Sequence, residues 1–178
     1  QDVDGEPDLV EAGPIGIRII HRLGRPFLRV WDREAQTLKE YKGLQYFPVE
    51  PKYRITAVYQ SFDTPRSIQV LDAIGGEHET LFPGQAFFTI DGVECVLTAE
   101  DEGDGLLFNF TDLTRADTSY PGGRYLLTEL PLDDSLIMDF NLTRNWPCAY
   151  TAFATCPLPP PDNHLKVRVA AGEMRYHD

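Results

Sequence analysis

The stretch "QAFFTIDGVECVLTA", residues 85–99, constrains the fold more than any other part of this chain. Two runs rich in β-branched and aromatic residues flank Asp91-Gly92. That dipeptide favours a two-residue type I′ turn, because both central residues must take φ > 0. The flanking runs are therefore expected to be antiparallel strands joined by a tight hairpin. The same texture recurs along the chain. "IGIRIIH" and "PFLRVWD" surround "RLGR" and suit a hairpin. "YRITAVYQSF" alternates Ile55, Ala57 and Tyr59 with Arg54, Thr56, Val58 and Gln60, a rough period of two. "RSIQVLDA", "LLFNFTD", "GRYLLTEL", "SLIMDFN" and "HLKVRVAA" complete the set of strand-like runs. Only "DREAQTLKEY", residues 32–41, reads as helix, with Asp32 as its N-cap. No segment holds a 3.6-residue apolar period over three turns. The 14 glycines and 14 prolines fall mostly between the runs, as turn punctuation. These features predict a mainly β protein: an antiparallel β-barrel or split barrel with at most two short helices.

The acidic, pattern-poor residues 1–14 are expected to form an arm or linker, and residues 15–178 a single β domain. With 42% apolar residues spread along the sequence, that domain has enough material for a core without disulfides or metals. No apolar run approaches the roughly 18 residues that cross a bilayer as a helix. The net charge of −12, from 28 acidic and 16 basic side chains, repels phosphates. Nucleic acid and anionic membrane are therefore poor partners. An acidic surface also suits solubility, salt adaptation or cation binding. Three cysteines are an odd number, and the default is a cytoplasmic protein with reduced thiols.

The chain has no phosphate-cradling loop, dinucleotide fingerprint, nucleophile elbow or zinc-protease helix motif. "PGGRYL" reads as a turn entering a strand. "CAYTAFATC" spaces Cys148 and Cys156 by eight, unlike the C-x-x-C of zinc ribbons. With His164 the two thiols make three soft ligands, one short of a closed zinc site. Cys148 and Cys156 are accordingly expected to be small core residues, buried, reduced and metal-free.

Chemistry concentrates near the C-terminus. In "MDFN", Asp139 and Asn141 stand two apart on an expected strand, so they share one face while Phe140 takes the other. A buried Asp139 needs a donor, and Arg124 is the expected partner. In "NWPCAYTAFATCPLPPPDNHL", residues 145–165, each proline fixes φ and removes an N–H. The segment cannot be an inner strand. It can lie across the open end of a barrel as a stiff cover. Asn145 and Asn163 are placed to tie its two ends by side-chain-to-backbone bonds.

Those same residues carry a resemblance. "DFN", "NWPCAYT", "ATCPLPPPDNHL" and "AGE" together look like the signature of the bacterial and archaeal domain-of-unknown-function family numbered 1684. "YKGLQYFPVEPKYRITA" and "GGRYL" are similar to that family's upstream motifs, so the likeness runs from about residue 17 to 173. The resemblance implies that Lys42, Gly43, Tyr53, Arg54, Arg124, Asp139, Asn141, Asn145, Cys148, Cys156, Asn163 and Glu173 are characteristic positions. It implies no activity, and it carries the expectation of a further region before this one. Two positions depart from it: Trp146 stands where the family commonly has proline, and His164 where it has arginine.

Three functions follow as expectations. The first is a soluble small-ligand-binding β-barrel with a polar site under the proline loop. Its ligand-binding set would be Arg124, Asp139, Asn141, Asn145, Asn163, Glu173 and Lys42. The second is a structural or interaction module without a ligand. The third is an enzyme with Asp139 or Glu173 as general base, or Cys148 as nucleophile. No histidine is locally placed to activate that thiol. No particular cofactor, metal, catalytic residue or oligomeric state is specified by the sequence.

Overall fold

A computed structural model of the protein describes residues 8–22, 25–72 and 75–176, with the side chains of Arg22 and His78 excepted. The chain divides into two compact units, Gln1–Gly43 and Leu44–Asp178.

In the first unit, β1 (Val10–Ala12), β2 (Ile15–Arg22) and β3 (Arg25–Asp32) form a three-stranded antiparallel sheet in that order. The expected "RLGR" hairpin has its register, Arg22 opposite Arg25, although residues 23–24 fall outside the described residues. The expected ten-residue helix is a single turn, α1 (Gln36–Lys39). Ala35, not Asp32, occupies its N-cap, and the Asp32 carboxylate accepts the Glu34 N–H at 2.8 Å in a preceding turn. The side chain that would cap the longer helix is thus spent on a local turn bond.

The second unit is built on β4 (Arg54–Leu71), β5 (Glu77–Ile90), β6 (Val93–Asp101), β7 (Gly105–Phe110), β8 (Arg124–Glu129), β9 (Ser135–Asp139) and β10 (Arg144–Asn145). They form one antiparallel sheet in the order β10-β8-β7-β6-β5-β4-β9. The protein is mainly β, as the sequence predicts. Asp91 (φ 47°) and Gly92 (φ 80°) make the expected turn, with Ile90 paired to Val93. "YRITAVYQSF" and "RSIQVLDA" prove to be one long strand, β4, whose register against β5 shifts between Ser61 and Arg66. The sheet curls until β8 and β9 touch. No ladder joins those two strands among the described residues, so the barrel is not closed by hydrogen bonds.

Tyr53, Ala57, Tyr59, Ala86, Phe88, Leu97, Ala99, Phe108, Phe110, Leu126, Met138 and Phe140 fill the interior. Burying this much aromatic and aliphatic surface is the main stabilising term, at about 25 cal/mol per Å². β7 is unusual in being buried along its whole length. Its inner face, Leu106, Phe108 and Phe110, joins the core. Its outer face carries Leu107 and Asn109, also buried. Residues of the proline-rich segment cover that outer face. Asn109 Nδ2 donates to the Pro157 carbonyl at 3.1 Å, and Trp146 Nε1 donates to Asn109 Oδ1 at 3.0 Å.

Two further expectations are corrected here. Asn141 is not on a strand. β9 ends at Asp139, and Phe140–Leu142 is a 3-10 turn whose Asn141 N–H is capped by the Asp139 carboxylate. "HLKVRVAA" is not a strand either; residues 166–171 lie outside every strand and bridge. Its alternation reports burial correctly, with Leu165, Val167, Val169 and Ala171 inside. Its backbone partners, however, are mostly side chains and single loop groups rather than a ladder.

Candidate functional site

Arg124 opens β8 beneath that C-terminal segment and is 1% exposed. The two terminal guanidinium nitrogens donate to the carbonyls of Ala171 (2.6 Å), Glu173 (3.0 Å) and Val169 (2.9 Å), and to Asp112 Oδ2 (2.9 Å). Three alternate carbonyls of an irregular strand-like segment thus find one side chain in place of a neighbouring strand. The expected partner Asp139 is elsewhere, paired with Arg54 at 3.2 Å on the opposing register position of β4. Burial pulls the Arg124 guanidinium below its ordinary value, and Asp112 opposes that shift. It stays charged, since an arginine starts so far above neutrality.

Asp112 is the residue that sequence reasoning missed. Its Oδ1 accepts the Thr114 N–H (2.8 Å), the Thr114 hydroxyl (2.6 Å) and the Val169 N–H (3.1 Å). It therefore caps the 3-10 turn Leu113–Ala116 and holds Arg124 at once. The signal was present: an Asp two residues before a Thr after an apolar run is an Asx-turn pattern.

The other expected site residues divide into four places. Asn145 and Glu173 lie beside Arg124. Glu173 accepts from the Asn145 N–H at 2.9 Å, from the Tyr46 hydroxyl at 3.3 Å and from the Tyr150 hydroxyl, while Asn145 Nδ2 donates to the Met174 carbonyl at 2.8 Å. Burial, then the bond to Glu173, pushes the Tyr150 phenol well up. Asn141 is bound to Asp139 (2.8 Å) and exchanges two bonds with the Glu50 backbone (3.1 and 3.0 Å). Lys42 is exposed and falls in the first unit, apart from the unit that holds the other six.

Asn163 does what was expected of an end-tie, in a specific way. The β6–β7 ladder holds only Glu100↔Leu107 and Asp101↔Leu106. Where the two strands part, the Asn163 amide enters between them. It accepts the Thr98 N–H at 2.8 Å and donates to the Thr98 and Asn109 carbonyls at 2.9 Å each. The side chain replaces one rung of the ladder. The backbone then runs beside Thr111, which bonds Asn163 and Leu165.

Cys156 is buried and Cys148 half-buried, so the expectation of two buried thiols holds for one of them. The Cys148 N–H donates to Cys156 Sγ at 3.2 Å. All three cysteines are free, and no group of His, Cys, Asp or Glu among the described residues is placed to hold a metal.

An opening lies under the proline loop. A cleft of about 410 Å³ is lined by Thr111, Arg115, Pro121, Gly122, His164 and residues 158–161. The loop can approach this closely because Gly123 (φ +105°) has no Cβ; one built there would sit 2.5 Å from Pro159 Cγ. His164 Nδ1 lies 2.7 Å from Thr111 Oγ1. The Arg115 side chain makes no ion pair or hydrogen bond among the described residues. None of the seven expected ligand-binding residues lines this cleft.

No curated protein matches the chain. A solved structure is similar to it: the solution NMR structure of the uncharacterized protein from gene locus rrnAC0354 of Haloarcula marismortui. The two are 35% identical, with 76% of this chain and 78% of that one covered and a TM-score of 0.63. The model of a family described as "Protein of unknown function (DUF1684)" matches residues 39–174, and the chain belongs to that family.

Proposed function

We propose that this protein is a small-ligand-binding β domain whose ligand occupies the cleft under the proline loop. The observation that carries the reading is the lining. Rigid proline faces stand beside an uncommitted arginine and an oriented histidine, the mixture of apolar wall and few polar groups that ligand sites use. In this reading the C-terminal signature is the scaffold and the cleft is the site. Arg124, Asn145, Asn163 and Glu173 spend their hydrogen bonds on the fold and so present the loop. The ligand is a small molecule rather than nucleic acid or an anionic membrane, given the charge of −12. A cytoplasmic location is part of the proposal and rests on the free thiols. No helix among the described residues is long and apolar enough to cross a membrane.

A second reading, a structural module without a ligand, draws on the same commitment of most polar atoms of the signature residues to the fold. A thermal-shift screen of metabolites separates the two, because a ligand of the native state raises the melting temperature in proportion to RT ln(1 + [L]/Kd). Hits are then mapped by amide NMR. Shifts at Thr111, Arg115, Gly122 and His164 support the proposal. Hits that map only to the Glu173 and Asn145 region overturn it.

A further inference from the structure

We infer that the cleft takes a small organic anion, its carboxylate or phosphate held by Arg115 and His164 and its flat apolar body lying on Pro159–Pro161. This rests on the ligand-binding reading of the cleft and assigns the chemistry of what fills it.

The charge pattern leads. In a chain of net charge −12, the cleft lining contains an arginine, a histidine and no carboxylate. Elsewhere in the second unit Arg54 meets Asp139 and Arg168 meets Asp117, while exposed Arg66 lies over the Phe62 ring and exposed Arg144 makes no ion pair among the described residues. Arg115 likewise makes no ion pair among the described residues. Its backbone is nevertheless anchored. Asp112 caps the turn that carries it, and its carbonyl accepts from Arg175 at 3.1 Å. A guanidinium that is rooted but unpaired offers its planar fork to a carboxylate or phosphate.

His164 adds direction. The Thr111 hydroxyl occupies Nδ1, which leaves Nε2 as the ring nitrogen available to a ligand. In the tautomer in which the Thr111 hydroxyl donates to Nδ1, the ring N–H is on Nε2 and is the donor offered to an anion.

The prolines select the remainder. Residues 159–161 have no N–H groups, so this wall has no backbone donors for an anion's oxygens. The polar side chains of the lining are those of Thr111, Arg115 and His164, and the proline wall is rigid and apolar. An anion with an aromatic or similarly flat body fits that division; a bare inorganic anion leaves the wall unused.

The test is an amide NMR titration of the full chain with benzoate, phenyl phosphate, benzamide and acetate. The expected result is saturable millimolar shifts at Arg115, Gly122 and His164 with benzoate or phenyl phosphate. Which of these two binds tighter distinguishes a carboxylate from a phosphate ligand. Benzamide and acetate are each expected to bind about tenfold more weakly than the better aromatic anion, the loss of one charge-assisted bond or of the apolar contact. Arg115→Gln should weaken the aromatic anion about tenfold and leave benzamide unchanged. This side chain is exposed, so the variant should keep the wild-type spectrum elsewhere. Benzamide matching benzoate, or Arg115→Gln leaving the anions unaffected, overturns the anion assignment while the cleft remains a ligand site. Acetate matching benzoate overturns the flat body. No shifts at those amides with any of the four probes overturns both the assignment and the ligand-binding reading.

Discussion

Arg124 and Asp112 form an ion pair 2.9 Å long in which each side chain is 1% exposed. They stand twelve positions apart in sequence, and the pair closes the loop between β7 and β8. Two buried charges are tolerated because nearly every remaining donor and acceptor is also met: three carbonyls on the arginine, three further donors on the aspartate. Such a pair adds little net stability over a well-packed apolar substitute, but breaking it strands a charge.

Asp112→Asn should therefore cost about 3–5 kcal/mol, the range for removing one partner of a buried pair. Asp139→Asn breaks a pair whose arginine is mostly exposed and should cost about 1 kcal/mol or less. Urea denaturation of both variants measures the difference. An Asp139 variant at least as damaging as the Asp112 variant would refute this division.

Asn163→Ala should be strongly destabilising although it removes only a small polar side chain. It orphans the Thr98 N–H and the Thr98 and Asn109 carbonyls, all in the buried gap between β6 and β7. Each buried group left unsatisfied costs about 1–3 kcal/mol. Hydrogen exchange at Thr98 should also accelerate relative to Leu97. An unchanged Thr98 amide would mean that water restores the missing rung.

Glu100 gives stability a pH dependence. Burial, with Glu102 as a lesser cause, raises its carboxyl from 4.5 to about 7. The folded state then holds the proton more tightly than the unfolded state. The sign follows: Glu100 favours folding below about pH 4.5, and that contribution is lost as pH rises through 7. Glu100→Gln should be near neutral in stability at pH 4 and stabilising by about 2–3 kcal/mol at pH 8. A variant equally stable relative to wild type at both pH values would rule this out.

The thiols should differ in reactivity. Burial, reinforced by Cys148, pushes the Cys156 thiol up to about 12, and burial also raises Cys95. Cys148 is only half-buried. Native protein titrated with a disulfide reagent should label Cys148 first, and Cys156 and Cys95 only on unfolding, because the thiolate is the reacting species. Peptide mapping that finds Cys156 labelled as fast as Cys148 would count against the arrangement.

What the sequence determined by itself is what neighbours in the chain decide. Asp91-Gly92 needs no distant partner to turn, so the β5–β6 hairpin was legible, and period-two burial marked most strands. The same reading mistook residues 164–171 for a strand, because alternation reports which side chains are inside and not who bonds the backbone. Asn141 was misplaced for a related reason: the Asp139 carboxylate ends β9 by capping the next turn, a local competition that alternation does not show. The likeness of the C-terminal residues to a family was legible too, and their role as ties was partly so, since Asn163 does tie the proline segment. Which arginine meets which aspartate was decided only in three dimensions. Arg54 lies opposite Asp139 because β4 pairs with β9, and that leaves Arg124 to Asp112 on the returning β7–β8 connection. The cleft is likewise tertiary. Arg115 and His164 are 49 positions apart by number and line one cleft because Thr111 bridges to His164, a contact made through space that no local propensity encodes.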